Sequence, residues 1–306
     1  MEIKIFQIDK KDDGIRIDKW FFRNIPQMSF ILVAKLIRKG QVRLDSKRIK
    51  INTKINYNQA IRTPVIPCLH QHKKKYFKPK NFEVFKENFF NSIIYEDQYL
   101  IALNKSYNLC VQGGSGVKIS IVCILRILNL KYNIVHRIDK HTTGLLLIAK
   151  NILVTAELNK LFREKKIAKT YLAILSGIPT NRQGVIESTI NIYTRCSQKK
   201  QVAKTRYEVL SVYSNMLSLV KMIPITGKKH QLRIHSKELQ CPVLGDSKYS
   251  NHQNQYNLSF INNLHLHSYS LNFQLFNKNY AFKAPIPSHF KNTLKTYFLT
   301  YSEDNL

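Results

Sequence analysis

The sequence predicts an α+β protein made of a small N-terminal module and a larger domain, and its 306 residues suffice for both. In the module, two helical patterns precede short strands that are joined by a turn. From about residue 93, strand patterns are interspersed with helical segments at 118–129 and 151–165, and residues 131–149 have the pattern strand, loop, strand. Together these features are typical of an α+β fold.

The charge of the chain indicates a polyanionic partner. There are 49 Lys and Arg residues against 19 Asp and Glu, which gives a formal net charge of +30. Each phosphate that such residues neutralise releases condensed counterions, so this excess favours nucleic acid. Enrichment in Ile, Asn and Lys, as AT-rich genomes produce, is an alternative source of much of the excess. It does not explain why basic residues cluster beside the motifs described below.

The sequence favours a cytoplasmic protein that does not enter a membrane. Its five cysteines form no CxxC pair and no zinc-binding spacing, so reduced thiols are expected. The N-terminus lacks the apolar core of a signal peptide. The longest apolar runs, such as residues 144–149, are too short to span a bilayer. Nothing in the sequence demands more than a monomer.

The small module is predicted at residues 1–64. Ile17 and Trp20 have helical spacing, and Ser29 can cap a second helix that ends at Gly40. The stretch QVRLDSKRIKIN then predicts a hairpin with its turn at residues 45–47, and AIRTP predicts a further short strand.

A basic linker is predicted at residues 65–92, where prolines punctuate the stretch HQHKKKYFKPK. Its His70 and His72 are expected to face solvent or RNA, because no convincing set of metal ligands surrounds them. The larger domain is then predicted at residues 93–306.

Three motifs in the larger domain carry the chemistry. HRIDKHTTG, at 136–144, places one carboxylate, Asp139, between a basic pair and a Thr-Thr-Gly turn. A carboxylate at such a corner suits nucleophilic or base chemistry at a sugar carbon. AKTYLA follows at 168–173 and ITGKKHQLRIH at 225–235. The glycines at 113–116 have neither GxGxxG spacing nor a Walker lysine, so they are not a nucleotide fingerprint.

These three motifs, in this order, resemble those of the RNA pseudouridine synthase family of the RluA type. The family signature, H-R-L-D-x-x-T-S-G, differs here in Ile138 and Thr143. The resemblance implies the pseudouridine synthase fold, a mixed, mostly antiparallel central sheet with flanking helices and a central RNA cleft. It also implies an isomerase that needs no cofactor and no metal, because the reaction breaks N1–C1′ and joins C5 to C1′ without a redox step.

The resemblance also implies roles for single residues. Asp139 would attack C1′ or remove a proton from C2′, Arg233 would fork onto that carboxylate, and Tyr171 would stack on the uracil. Arg137 would fill the space that a flipped nucleotide leaves. RNA contacts are expected from three neighbours in the third motif, Lys228, Lys229 and His230. Alternatives stay open: a salt bridge for Arg137, a core position for Tyr171, a surface position for Arg233, and structural roles for His136, His230 and His235.

The small module resembles the S4 RNA-binding domain, with Phe30 at a position where that family often has a basic residue. The resemblance implies that one basic face meets phosphates, through Lys35, Arg38, Lys39, Gln41, Arg43, Lys47 and Arg48. The alternative is a solvated helix face without a partner. Short relatives that act on tRNA anticodon stems lack this module, so its presence favours 23S rRNA of the large ribosomal subunit as substrate.

Two other functions are weighed against a 23S rRNA pseudouridine synthase. A catalytically silent RNA-binding or ribosome-assembly protein would share the fold, but it would be expected to have lost one of Asp139, Tyr171 and Arg233. A glycoside or phosphodiester hydrolase is disfavoured, since no paired acid and no metal cluster accompany Asp139.

Overall fold

The computed structural model describes residues 2–25, 28, 30–65, 81–114, 117, 119–193, 198–250 and 261–302. The chain folds as two compact units, residues 1–75 and 76–306.

The smaller unit contains the two predicted helices and the predicted hairpin. Its elements are β1 (Ile3–Gln7), α1 (Ile17–Asn24), α2 (Phe30–Arg38), β2 (Arg43–Leu44), β3 (Lys47–Arg48) and β4 (Ala60–Pro64). The strands form an antiparallel sheet in the order β1-β4-β2-β3. Asp45 and Ser46 have positive φ angles of 46° and 64° at the hairpin turn, and Gly40 follows α2 with φ +71°. Ser29, the predicted cap, lies outside the described residues.

The apolar stripes of α1 and α2 form the core of this unit. Trp20 and Phe21 of α1 pack with Val33, Leu36 and Ile37 of α2, and all five side chains are buried. The exposed sides of both helices therefore keep the basic residues on the surface.

A helix begins the larger unit within the stretch predicted as a linker. Helix α3 (Phe82–Asn91) buries Phe82 and Phe89 against Ile101 and Leu103. Residues 82–91 therefore belong to the larger unit and not to a linker, because their aromatic side chains complete its core. Residues 66–80 of the predicted linker, which include His70 and His72, lie outside the described residues.

The larger unit is built on one mixed, mostly antiparallel sheet, as predicted. Its strands are β5 (Ile93–Glu96), β6 (Leu100–Lys105), β7 (Asn133–Ile134), β8 (Thr143–Ala149), β9 (Ala168–Ser176), β10 (Gln183–Tyr193), β11 (Gln198–Tyr213), β12 (Leu217–Pro224), β13 (Leu266–Leu275) and β14 (Lys278–Lys283). The order is β10-β11-β12-β9-β13-β8-β6-β5, with β14 beside β13 and β7 beside β8. Among the described strands, the pairing of β8 with β13 is parallel and the other pairings are antiparallel.

Helices flank this sheet, as the resemblance implies. They are α4 (Ile121–Ile127), α5 (Ile152–Arg163), α6 (Gln231–Glu238) and α7 (Ser288–Thr296). The first two correspond to the helices predicted at 118–129 and 151–165. Side chains cap both helices: Ser120 accepts a hydrogen bond from the Cys123 N–H, and Asn151 from the Val154 N–H. No helix among the described residues is long and apolar enough to cross a membrane.

Strand β8 is apolar throughout because both of its faces are covered. Leu145 and Leu147 pack against α5, whereas Leu146 and Ile148 pack against α4. Central strands with two buried faces have continuous apolar sequences, which explains the run GLLLIA.

Gly144 allows β8 and β13 to approach at the start of their parallel pairing. It pairs with Ser268 and has φ +100°, and a Cβ atom at this position would overlap the Ser268 carbonyl oxygen. Glycine is therefore required here. The loop that contains Asp139 ends immediately before this contact, so the close approach of the strands fixes where that loop meets the sheet.

Candidate active site

Asp139 lies on the loop between β7 and β8, where its side chain is 25% exposed. The Thr142 N–H donates to the Asp139 carbonyl oxygen over 3.2 Å, so the loop closes on itself beside the carboxylate. The short turn holds the backbone of Asp139 while its side chain stays accessible. Such a carboxylate can act on a bound ligand without unfolding of the loop.

Lys105 holds the same loop in place through hydrogen bonds from its side chain. It ends β6 and is buried, and its ammonium group donates to the carbonyl oxygens of Ser106, Leu109 and Lys140 over 2.9, 2.9 and 3.0 Å. Burial lowers the pKa of Lys105 to about 7, and electrostatic interactions with Cys110 and Asp139 act in the opposite direction. Lys105 therefore fastens the residue that follows Asp139. A lysine that ends an apolar strand, LIALNK, was the available signal for this role.

Arg233, on α6, is forked onto Asp246 and only touches Asp139. Its Nε and Nη2 donate to Asp246 Oδ2 and Oδ1, both over 2.7 Å, and the two side chains are buried. The remaining Nη1 lies 3.6 Å from Asp139 Oδ2. The bidentate pair expected between Arg233 and Asp139 is thus formed with a different carboxylate, because Asp246 lies edge-on to the guanidinium.

Asp246 stays ionised and holds the guanidinium in place. Burial raises its pKa, but the hydrogen bonds and charge of Arg233, with the N–H groups of Lys248 and Tyr249, outweigh burial and lower it overall. These two N–H groups donate to Asp246 Oδ1 over 2.9 and 3.1 Å. Asp246 was not predicted as a site residue, although it lies in the stretch PVLGDSKY, which closely follows the third motif.

His230 and Tyr249 complete the surroundings of the carboxylate. His230 Nε2 lies 3.6 Å from Asp139 Oδ1, and its Nδ1 shares a hydrogen bond of 2.8 Å with the Tyr249 hydroxyl. The Tyr249 ring covers the Arg233 guanidinium at 5.0 Å. Burial lowers the pKa of His230, as do the charges of Arg233, Lys248 and Lys229, whereas Asp139 raises it. The imidazole is therefore neutral at pH 7.

Tyr171 reaches the same site from β9. It is partly buried, and it pairs in register with Ser268 of β13 and Met222 of β12. Burial raises the pKa of Tyr171 to about 12, and the charge of Asp139 contributes in the same direction. The phenol is hence protonated at neutral pH and lies within electrostatic reach of Asp139. The structure therefore brings Asp139, Arg233 and Tyr171 together, although the sequence separates them by up to 94 residues.

The loop before α6 is organised by Gln231. Its Oε1 accepts from the Thr226 hydroxyl and the Lys228 N–H, and its Nε2 donates to Lys204 O and Thr205 Oγ1. This buried amide fixes the turn that presents Lys228, which is half-buried, and Lys229, which is exposed. Both predicted RNA contacts are thus on the same short segment as His230.

Two further histidines of the motifs, His136 and His235, are bonded within the fold, whereas Arg137 is exposed. His136 Nε2 accepts a hydrogen bond of 2.8 Å from the Leu147 N–H, and its ring stacks on Phe162. His235 is buried and bonded to Thr205 Oγ1. Both have structural roles. Arg137 is exposed next to Asp139 and donates to Gln112 Oε1 over 3.4 Å.

The residues of the module that were predicted to meet phosphates lie on the smaller unit, and most of them are exposed. These exposed residues are Lys35, Arg38, Lys39, Gln41, Lys47 and Arg48. Arg43 differs, because its guanidinium donates to the carbonyl oxygens of Gly40 and Ser46 over 3.1 and 3.2 Å. Arg43 therefore ties the hairpin to the end of α2 and has fewer donors left for a phosphate.

Comparison with known proteins gives concordant results. The sequence profile of the family described as RNA pseudouridylate synthase matches residues 99–238. Ribosomal large subunit pseudouridine synthase C of Rickettsia felis is 35% identical over 292 residues, which cover 90% of this chain and 94% of that protein. A protein of the same description from Buchnera aphidicola subsp. Schizaphis graminum is 31% identical over 310 residues, which cover 96% of this chain and 97% of that protein.

Solved structures agree with these sequence relatives. Human RNA pseudouridylate synthase domain containing 4 superposes with a TM-score of 0.62 at 28% identity, covering 72% of this chain and 98% of that chain. Human RNA pseudouridylate synthase domain containing 1 superposes with a TM-score of 0.56 at 22% identity over the same shares of the two chains, and it shows the shared fold.

Proposed function

Because the chain belongs to the RNA pseudouridylate synthase family, we propose that it isomerises uridines of 23S rRNA to pseudouridine with Asp139 as the catalytic carboxylate. One observation carries the assignment of the site. An accessible carboxylate stands 3.6 Å from a guanidinium that a second, buried carboxylate already holds in a fork. The chain is a pseudouridine synthase, and the steps below assign its residues to the reaction.

The fork onto Asp246 leaves Asp139 with lone pairs for chemistry. Arg233 contributes its positive charge and one donor group to Asp139, and no bidentate clamp consumes both oxygens of that carboxylate. An ionised Asp139 can therefore attack C1′ or take a proton from C2′ as the N1–C1′ bond breaks and N1 keeps the bonding electrons. The detached uracil then turns and C5 bonds to C1′; this step displaces the Asp139 oxygen from C1′ in the first case, and the C2′ proton is returned to C2′ in the second. The C5 proton then leaves, and N1 gains a proton.

Tyr171 keeps the detached base in position. Its pKa of about 12 means that the phenol is neutral at the pH of the reaction, so it does not repel the Asp139 carboxylate or the electron-rich uracil. A ring stacked on the base prevents its escape during rotation. Proximity of this kind can supply much of the barrier reduction in an intramolecular transfer.

Access to the uridine requires base flipping, which costs a few kcal/mol of unstacking. Arg137 is exposed beside Asp139, so its guanidinium can enter the space that the flipped nucleotide vacates. Lys228 and Lys229 lie together just before α6 and are available to the flanking phosphates, whereas the ring of His230 faces Asp139 and Tyr249.

The identity of the RNA is inferred from the relatives and from the basic module. The curated relatives are described as ribosomal large subunit enzymes, which supports 23S rRNA or its precursor. The exposed cations on α2 and the following hairpin would bind the backbone of that RNA. We infer action as a monomer in the cytoplasm, where the large subunit is assembled.

Tritium release from labelled RNA tests the proposed substrate. Purified protein is incubated with a 23S rRNA transcript that contains 5-tritiated uridine, and in parallel with labelled tRNA transcripts. We expect release from 23S rRNA alone, because pseudouridine formation replaces the C5–H bond. Release from tRNA alone would contradict the substrate, and tight binding without any release would indicate a catalytically silent RNA-binding protein.

A further inference from the structure

The smaller unit has an apolar groove between α1 and α2 that its own core does not fill. Phe22 is 78% exposed and Phe30 is 61% exposed, and both line a groove of about 190 Å³. Met28 and Val33 form its floor and are buried. Two large aromatic side chains so exposed around one groove indicate a binding surface.

The surroundings of this groove are basic. Lys19 lies on its rim, three residues before Phe22 and therefore on the same side of α1. On α2, Lys35 and Arg38 are exposed five and eight residues after Phe30, outside the lining of the groove. A ligand in the groove would therefore meet Lys19 directly, and an RNA strand that continues from the groove along α2 could reach Lys35 and Arg38.

Asp18 also lies on the rim, but its carboxylate does not oppose a negative ligand strongly. Arg16 Nε and Nη2 donate to its two oxygens over 3.1 and 2.7 Å. Its charge is thus compensated within α1 and its cap. Lys19 is therefore the charged side chain of the lining that a negative ligand would meet.

We propose that this groove binds an unpaired nucleobase of the substrate RNA, stacked against Phe22 and Phe30, while Lys19 and the α2 cations contact the flanking phosphates. The proposal rests on the proposed function for its RNA. Single-stranded RNA is held in this way by proteins that combine aromatic stacking with a basic groove, and the stacking tolerates any base. A protein partner is the competing occupant, and the experiments below separate it from RNA.

Substitution of the groove aromatics in the full-length protein tests the proposal. Phe30→Ala and Phe22→Ala should each weaken binding of a 23S rRNA transcript by about 5- to 150-fold, the effect of removing one stacked base. Phe30→Trp should restore binding, since it restores a stacking face. The matched control is Tyr57→Ala, which removes an aromatic that is 59% exposed on the same unit but does not line the groove. Its affinity should equal that of the wild type.

A crosslink identifies the base directly. In the complex with a 4-thiouridine-containing transcript, irradiation should join RNA to peptides with Phe22 or Phe30, and Phe30→Ala should lose the adduct at residue 30. Unchanged RNA affinity in the double alanine variant would overturn the proposal. The proposal would also be overturned if the double variant lost affinity for ribosomal subunits that contain proteins but not for the bare transcript. That result would assign the groove to a protein.

The same experiment separates the two proposals. Tritium release by the wild type, measured with saturating 23S rRNA, reports the proposed function alone, since none of the groove residues belongs to the candidate active site. If the wild type releases no tritium but the groove substitutions weaken RNA binding, the proposed substrate is wrong and the RNA-binding groove stands. If the wild type releases tritium normally but the groove substitutions leave RNA affinity unchanged, the proposed function stands and the RNA-binding groove is wrong.

Discussion

Replacement of Asp246 by asparagine should destabilise the larger unit and disturb the chemistry at Asp139. Asp246 is 1% exposed and Arg233 is 6% exposed, so the substitution leaves a buried guanidinium without its bidentate partner. Removal of one partner from a buried pair costs about 3–5 kcal/mol. Asp139 stands 3.6 Å away and can compensate in part. We therefore expect a loss of about 3 kcal/mol, the lower end of that range.

The substitution should also slow the reaction. With Asp246 neutral, the freed guanidinium can turn onto Asp139 and occupy both of its oxygens, which displaces the carboxylate from C1′. A misplacement of about 1 Å can cost about 100-fold in rate. Urea unfolding measures the loss of stability, and single-turnover tritium release measures the rate.

The difference in unfolding free energy between the wild type and Asp246→Asn should depend on pH, because the pKa of Asp246 is lowered in the folded protein. A carboxylate with a lowered pKa stabilises the fold above the pKa of the unfolded chain, near 3.8, and loses this contribution as the pH falls through its folded value. The stability gap between wild type and Asp246→Asn should thus be complete at neutral pH and close in strong acid.

Asp97→Asn provides the matched control. Asp97 accepts hydrogen bonds from the Tyr280 hydroxyl and from the N–H groups of Tyr99 and Leu100, but it contacts none of the candidate catalytic residues. Its loss should lower stability without changing the rate of the folded enzyme. An Asp246→Asn variant with wild-type stability and wild-type rate would refute the idea that Asp246 holds Arg233 in place.

Three further predictions concern the support of the site. Lys105→Met should lower kcat by about 10- to 100-fold without changing RNA affinity, because three loop carbonyls lose their donor; steady-state tritium release with RNA titrations checks this, and an unchanged kcat would contradict it. Gly144→Ala should cost about 3 kcal/mol or more in urea unfolding, since its Cβ would overlap the Ser268 carbonyl; a neutral substitution would contradict the close strand approach. Burial lowers the pKa to about 3 for His136 and to about 4 for His235, His265 and His267. The free energy of unfolding should therefore fall as the pH decreases from 6.5 towards 4, by at most about 1.4 kcal/mol per pH unit for each buried histidine. A urea midpoint that does not change between pH 5 and 7 would contradict this.

Local patterns predicted much of the fold. The helical spacing around Trp20, the Asp-Ser turn and the apolar run after Gly144 each depend on neighbours in sequence, and the structure contains the corresponding helix, hairpin and buried strand. Helix α3 was missed because prolines and lysines upstream suggested a linker throughout. Its aromatic residues become informative only once the core they cover is known.

The sequence predicted which residues form the candidate site, but not which carboxylate pairs with Arg233. Motif spacing singled out Asp139, Tyr171 and Arg233, and these remain predictions of function that the geometry supports. Which carboxylate receives the fork of Arg233 depends on how the segment after α6 returns to the helix, and no local pattern encodes that path. The loop-holding role of Lys105 likewise depends on three carbonyl groups, which any residue types could supply.

The most direct test of the account is single-turnover tritium release by wild type and Asp139→Asn, combined with the RNA affinity of each. Asparagine keeps the shape of the side chain and removes its nucleophilic and basic capacity. We expect Asp139→Asn to bind the 23S rRNA transcript as tightly as the wild type and to release no tritium above background. Release at the wild-type rate by a folded Asp139→Asn protein would contradict the central role of this carboxylate.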